Sequence, residues 1–509
     1  MPAVTIATDI GTVVSDQDTP TFEHVRVKLK AGFDVTPGQL LKFGTTRDGG
    51  GTLIGRVRSA YENNPNERAE AVNVRDSLQI PARYPLEADS TTIFRLADVE
   101  LITEIIDKDT RAPQTLPTSG TPVQFASDSE VVLTLGLLSS DEEALSVGHT
   151  ISGANVSIRL KRDAIQRHLF ICGTTGSGKS YAMGVVAEEL IRQGLPVVFL
   201  DTQDEYSALA QALGGRIVVP GKDFNIRISS LTDRELIELV PNPSELHQNI
   251  IAAAFLELQD ELRDRKRLKF VLQDLLDRID QVGPHLTKKP DSIHLAKMRA
   301  AFLQRTEIFG EGVDRANWPK LMSPCLAINC KTLTSSRLQT VATALLRELQ
   351  DLRLRGHIPP YAIVIDEAHL FVPEGEGSPC KQIIRENVRI GRHHGICVVL
   401  LTQSPVDIDK GIIRQCNTRM VFALEPDQLD AIRGVKADAS DEMLRALPKM
   451  PRGTCVLSGT YESVKHALPI RIRLRHTQDA EGGKTPPIFS NEFWNTANWG
   501  ERPSMRSGS

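Results

Sequence analysis

Residues 168 to 180 read HLFICGTTGSGKS, and within them Gly173 to Ser180 carry the spacing G-x-x-x-x-G-K-S. That spacing serves phosphate chemistry. Gly173, Gly176 and Gly178 let the backbone turn tightly enough for successive N–H groups to point at a β-phosphate. The helix-forming run YAMGVVAEELIRQG follows at once and adds the positive end of its dipole. Lys179 is the point charge for the β- and γ-phosphates, and Ser180 offers a hydroxyl to Mg²⁺. With Thr174, Thr175, Ser177 and Tyr181 they form the stretch expected to bind ATP.

A second group of residues fits the hydrolytic half of such a site. IVIDEAH is an apolar run that ends in two acids: Asp366, able to hold Mg²⁺, and Glu367, able to take the proton of an attacking water. LLTQSP puts Gln403 at the end of another apolar run, where an amide can bond that water or the γ-phosphate. Arg385, Arg389 and Arg392 in IIRENVRIGRHHG, and Arg167 ahead of the phosphate loop, are cations suited to the charge of a phosphoryl-transfer transition state. His393 and His394 stand without further ligands at metal spacing, so no metal site is read there.

These residues need a scaffold that brings several chain segments to one edge. LPVVFL (195–200), PCLAINCKTL (324–333), YAIVIDEAHLF (361–371), GICVVLLTQSP (395–405) and TRMVFAL (418–424) read as buried strands. Helical stretches alternate with them, which predicts a mostly parallel sheet with ligands at the strand C-terminal ends. RGTCVLSG and VKHALPIRIRL form a terminal hairpin, and SIRLKR leads into the phosphate-loop strand. Between 231 and 320 the apolar period becomes helical, which predicts a helical insertion, with the basic run Arg263–Lys269 as a solvated helix face. Before residue 145 the pattern alternates, in 24–30, 52–61, 92–105 and 130–138, with turn residues between, and predicts a small closed barrel. The expected boundaries are 1–145 for the barrel, 146–230 and 321–475 for the two parts of the α/β domain, 231–320 for the insertion and 476–509 for an extended tail.

Composition agrees with a chain of two or three domains. It has 509 residues, 40% hydrophobic and 24% charged, with a net charge of −4 that gives no global sign of nucleic-acid binding. No apolar run approaches the ~18 residues that span a membrane. The N-terminus has no basic stretch ahead of an apolar one, so a cytoplasmic protein is expected. Seven scattered cysteines read as buried apolar residues of a reducing compartment.

RHLFICGTTGSGKS, VFLDTQDEYS, IVIDEAH, RIGRHHG and LLTQSP, in this order behind a β-barrel, resemble the HerA subgroup of the HerA–FtsK translocases. The resemblance implies a RecA-like P-loop ATPase core with an N-terminal barrel, assembled as a homo-hexamer that moves double-stranded DNA through a central pore. It implies Lys179 and Ser180 on phosphate and Mg²⁺, Asp366 and Glu367 as the Walker B pair, Gln403 as sensor, and Arg392 and Arg167 reaching an adjoining subunit's nucleotide. A NurA-like nuclease, or a defence effector such as a sirtuin-like enzyme, would dock on the barrels. A second reading is an ATPase scaffold of an anti-phage complex in which DNA pumping is secondary. DTQDEYS differs from relatives, which more often have Gly before the Glu-Tyr pair, and RIGRHHG carries Ile390 and His393 where an acid and a lysine are usual.

Overall fold

The structure is a computed structural model and describes residues 8–15, 19–44, 51–63, 94–151, 155–310, 318–375, 377–435, 437–459 and 463–477. Of the tail expected at 476–509, residues from 478 on lie outside the described residues.

The first strands are β1 (Gly11–Val14), β2 (His24–Leu29), β3 (Leu40–Phe43), β4 (Thr52–Asn63), β5 (Phe94–Ile106), β6 (Asp109–Arg111) and β7 (Pro122–Phe125). Six of them close a ring in the order β2-β1-β7-β3-β4-β5, with β5 paired back to β2 and β6 added on β5. The alternation has its physical cause here: Val25, Val27 and Leu29 of β2 point inward beside Leu41, Phe43, Leu53 and Val99. Closure demands bending, and β4 supplies it through register shifts at Ile54/Gly55 and Val57/Ser59. Gly55 is required there, because a Cβ would lie 2.5 Å from Val99 Cγ1 and 2.9 Å from the Phe43 ring.

The stretch 130–138, expected as a strand, is instead helix α1 (Asp128–Leu135). Ser127 and Glu130 form a reciprocal capping box, and Gly136 ends the helix with φ 70°. Start and stop signals thus override an apolar run that fits either period. Helix α1 buries Val131 and Leu135 against the second sheet rather than inside the barrel.

The second sheet contains β8 (Ala144–Thr150), β9 (Ser157–Lys161), β10 (Leu169–Cys172), β11 (Val197–Asp201), β12 (Arg216–Val218), β13 (Cys325–Asn329), β14 (Tyr361–Ile365), β15 (Ile396–Thr402), β16 (Thr418–Val421), β17 (Thr454–Gly459) and β18 (Leu468–Ile472). Their order is β12-β13-β11-β14-β15-β10-β16-β17-β18-β8-β9, parallel from β12 to β16 and antiparallel beyond. SIRLKR (β9) therefore lies at the far antiparallel edge, although it precedes β10 in sequence. Every residue of β10, β11, β14 and β15 is buried, as expected for strands covered on both faces. All seven cysteines are buried and free.

Helix α2 (Lys179–Arg192) follows the phosphate loop. Between β12 and β13 lie α3 (Asp233–Leu239), α4 (Glu245–Arg263), α5 (Leu272–Leu286) and α6 (Pro290–Ala301). The basic run is not a helix face: α4 ends at Arg263, and Arg267 in the connection pairs with Glu261 at 3.2 Å and Asp274 at 2.7 Å. Two long helices complete the core, α7 (Ser335–Leu354) and α8 (Pro379–His394). Arg347 of α7 clamps Glu235 of α3 at 2.6 Å and Glu386 of α8 at 3.0 Å, which fastens the inserted helices to the core.

Candidate functional site

The strand order dictates what can meet. In the parallel part, β15 lies between β10 and β14, so the residue after β15 must stand between the loop after β10 and the acids after β14. Gln403 is that residue.

The phosphate loop is pressed onto its surroundings. Gly173, Gly176 and Gly178 have φ of 157°, 77° and 114°. A Cβ on Gly173 would lie 2.6 Å from Phe422 Cβ, and one on Gly178 3.1 Å from the Gly453 nitrogen. Thr174 N–H donates to the Ala423 carbonyl (2.8 Å), Ser177 Oγ to the Thr174 carbonyl (2.7 Å), and Gly453 N–H to the Ser177 carbonyl (2.9 Å). Thr175 is exposed at the loop's rim and its hydroxyl donates to Gln403 Oε1. Lys179 Nζ is buried and donates to the Thr174 carbonyl at 3.1 Å, lying across the loop. Tyr181 takes a hydrogen bond from Arg475 N–H (2.8 Å), and the Arg475 guanidinium lies over its ring at 4.5 Å.

Opposite the loop, Asp366 and Glu367 are only 6% and 5% exposed. Glu367 has a left-handed backbone (φ 48°), a strained conformation that costs on the order of 1–3 kcal/mol and recurs where geometry serves function. Its carboxylate accepts from Gln203 Nε2 (3.2 Å), Gln403 N–H (3.4 Å) and Gln403 Nε2, with His369 Nδ1 3.4 Å away. His369 Nδ1 also lies 3.1 Å from Thr402 Oγ1. Asp366 Oδ2 accepts from Thr202 Oγ1 at 3.1 Å. Burial, reinforced by the charges of Glu367, Glu205 and Asp201, pushes the Asp366 carboxyl well above the usual carboxylate range. Burial lowers the Lys179 ammonium, while Glu367, Glu205 and Asp366 pull it back up.

An oxygen-only donor set, with an Asp366 carboxyl that burial and its neighbours' charges hold above the usual range, fits a hard divalent cation such as Mg²⁺ at Ser180 and Asp366. Among the described residues no cluster of three or more His, Cys, Asp and Glu could hold a metal alone.

The arginines stand elsewhere. Arg392 is exposed near the end of α8 and precedes β15, and Arg167 precedes β10. Both sit at the N-terminal edge of the sheet, about 15–20 Å from their own phosphate loop at ~3.3 Å per strand residue. Arg392 there lines a cavity of about 320 Å³ with Arg162, Leu190 and Ile396. Arg385 bonds Asp409 at 2.7 Å. The chain's own fold thus assembles the loop, Asp366, Glu367 and Gln403, and leaves Arg392 and Arg167 apart from them.

Sequence reading assigned no role to Thr202, Gln203, Glu205 or His369, although all four lie in the quoted DTQDEYS and IDEAH stretches. Their signal was one of position, since they directly follow β11 and β14, whose C-terminal tips lie on the loop's edge of the sheet beyond β15.

Residues 145–349 match the family described as DUF87: Helicase HerA, central domain. The chain is similar to the DNA double-strand break repair helicase HerA of Sulfolobus acidocaldarius, 23% identical over 97% of this chain and 97% of that protein. It is also similar to the protein of that name from Pyrococcus furiosus, 22% identical over 88% of this chain and 90% of the other. Among solved structures, VirB4 of Thermoanaerobacter pseudethanolicus shares the fold with a TM-score of 0.55 at 14% identity, over 66% of this chain and 97% of that one. A phosphate loop facing buried acids across a parallel sheet, a barrel of six closed strands and these relatives along most of the length converge: the chain is a P-loop ATPase similar to the HerA helicases, whose central domain residues 145–349 match.

Proposed function

We propose that this chain is an ATP-hydrolysing DNA translocase or helicase that forms a hexameric ring and works with a nuclease or other effector docked on its barrels. The observation that carries the hydrolytic half is the clamp on Glu367, whose carboxylate is held by Gln203 and Gln403 directly across from Lys179. Lys179 and the loop N–H groups bind the β- and γ-phosphates. Glu367 takes the proton of the attacking water, and Gln403, bonded to both Glu367 and Thr175, orients that water and registers loss of the γ-phosphate. Mg²⁺ at Ser180 and Asp366 would neutralise charge developing on the phosphoryl oxygens. Arg392 and Arg167, on the opposite edge of the sheet and apart from their own phosphate loop, would serve a neighbouring subunit's nucleotide. Duplex DNA as the track is supported by the relatives, which are named as DNA double-strand break repair helicases.

ATP turnover with and without linear duplex DNA tests the proposal. Wild type should hydrolyse ATP faster with DNA, Lys179→Ala should bind no nucleotide, and Glu367→Gln should bind ATP yet retain it unhydrolysed. Wild-type turnover that ignores duplex DNA but responds to a partner enzyme would replace translocation with the scaffold role. Wild-type hydrolysis by Glu367→Gln would remove Glu367 as the base.

A further inference from the structure

The DTQDEYS turn after β11 is built to present one carboxylate to the phosphate loop. Asp201 is fully buried and accepts the backbone N–H groups of Gln203 (3.3 Å), Glu205 (3.0 Å) and Tyr206 (2.9 Å), which folds the chain tightly beyond the strand tip. Asp204 takes the left-handed backbone (φ 66°) that glycine adopts most easily, and Asn329 Nδ2 holds its side chain at 2.7 Å. Asp tolerates that conformation better than most residues other than glycine. On the other flank the Tyr206 ring, 1% exposed, lies flat on Phe199 with centroids 4.6 Å apart.

Between these two anchors, Glu205 Oε2 accepts the hydroxyl hydrogen of Ser180. Asp366 has a different partner, Thr202. A serine hydroxyl has one hydrogen and two lone pairs, so whichever group takes the hydrogen decides where the lone pairs point.

We infer that Glu205 is a positioning residue of the nucleotide site: it takes the Ser180 hydrogen and so turns the Ser180 lone pairs toward the nucleotide's divalent cation. The inference rests on the nucleotide-site reading above and adds the residue that orients the cation's serine ligand. Glu205 itself does not touch the reacting phosphate.

The test is equilibrium binding of a fluorescent ATP analogue to the full chain, in Mg²⁺ and in EDTA. Wild type should bind more tightly in Mg²⁺. Glu205→Ala should cut that gain about tenfold or more while leaving the affinity in EDTA within about threefold, because only the cation's contribution is lost. Ser180→Ala should lose the same gain, and the double variant should lose no more than either single one, the signature of two residues acting as a unit. Glu205→Gln retains an acceptor oxygen for Ser180 and should keep part of the gain. A Glu205→Ala gain within about twofold of wild type, or strictly additive losses in the double variant, overturns the inference. Equal losses in Mg²⁺ and EDTA with a lowered melting temperature also overturn it, since that pattern marks a purely structural loop residue. If wild type itself binds no nucleotide, the failure lies with the phosphate-site reading instead.

Discussion

His168, one residue ahead of β10, shows how a single side chain sets the stability of the site's foundation. Its backbone is left-handed (φ 69°), its ring is 2% exposed, and its Nδ1 accepts the Val398 N–H at 3.0 Å, which ties the start of β10 to β15. Burial lowers its pKa from 6.5 to about 4. The depressed value means the folded state resists protonation while the unfolded chain accepts it below about pH 6.5. The neutral ring's contribution is therefore complete above pH 6.5 and is lost as pH falls toward 4, by up to about 3 kcal/mol. Thermal melts from pH 7.5 to 4.5 should fall more steeply for wild type than for His168→Asn, which keeps a residue tolerant of that backbone and removes the titrating group. Parallel curves would mean that His168 is not held neutral.

At the scale of elements, α8 is the piece that links the two edges of the sheet. Its N-terminal turns bond Asp409 through Lys381 (3.2 Å) and Arg385 (2.7 Å). The loops after Glu367 and Gln403 are zipped together beside it, by Glu374 N–H to the Asp407 carbonyl (2.9 Å) and Asp409 N–H to the Val372 carbonyl (3.0 Å). The helix then runs to the opposite edge, where Arg392 is exposed. If Arg392 serves a neighbour's nucleotide, Arg392→Ala should lower turnover on the order of 10³-fold with ATP affinity largely kept. Mixing it with Lys179→Ala subunits should restore part of the activity, because some interfaces then hold both intact parts. Mixed rings of verified composition that stay inactive would move attention to Arg389.

The whole molecule behaves as a continuous body rather than a barrel on a tether. Arg56 of β4 is 2% exposed and donates to the Ala467 carbonyl at 2.7 Å while pairing with Glu100 at 2.8 Å. Thr103 Oγ1 meets His466 Nε2 at 2.9 Å, and Lys465 Nζ reaches Thr110 Oγ1 at 2.6 Å. Ile54, Ile105, Val131 and Leu135 share one apolar cluster with Leu145, Leu468 and Ile470 of the second sheet. Excising residues 1–145 would expose that cluster, so partner docking is better tested with the barrel in place. Arg56→Ala breaks a half-buried ion pair and strands the buried Ala467 carbonyl, a loss of about 1–3 kcal/mol. The melting transition of the entire chain should shift down; a shift confined to a separate early transition would show that the barrel unfolds alone.

The phosphate loop was legible in sequence because its parts are contiguous: glycines, Lys179 and Ser180 act through one turn of chain and the helix that follows. Asp366, Glu367 and Gln403 were legible for a related reason, since an apolar run ending in a polar residue delivers that residue to a strand tip. Helix α1 was misread although Ser127 and Glu130 announced it, because Val131 to Leu138 satisfies both periods until the cap is weighed. The basic run 263–269 was misread because helical period continues on both sides of the break, and only packing of α4 against α5 bends the chain there. What tertiary structure alone decided is pairing across the sheet. Ser180 and Glu205 are 25 residues apart, and Gln203 and Glu367 are 164 apart. They meet because parallel strands bring their C-terminal ends to one edge in the order β11-β14-β15-β10, an order that follows from how the crossovers pack and is written in no local stretch of residues.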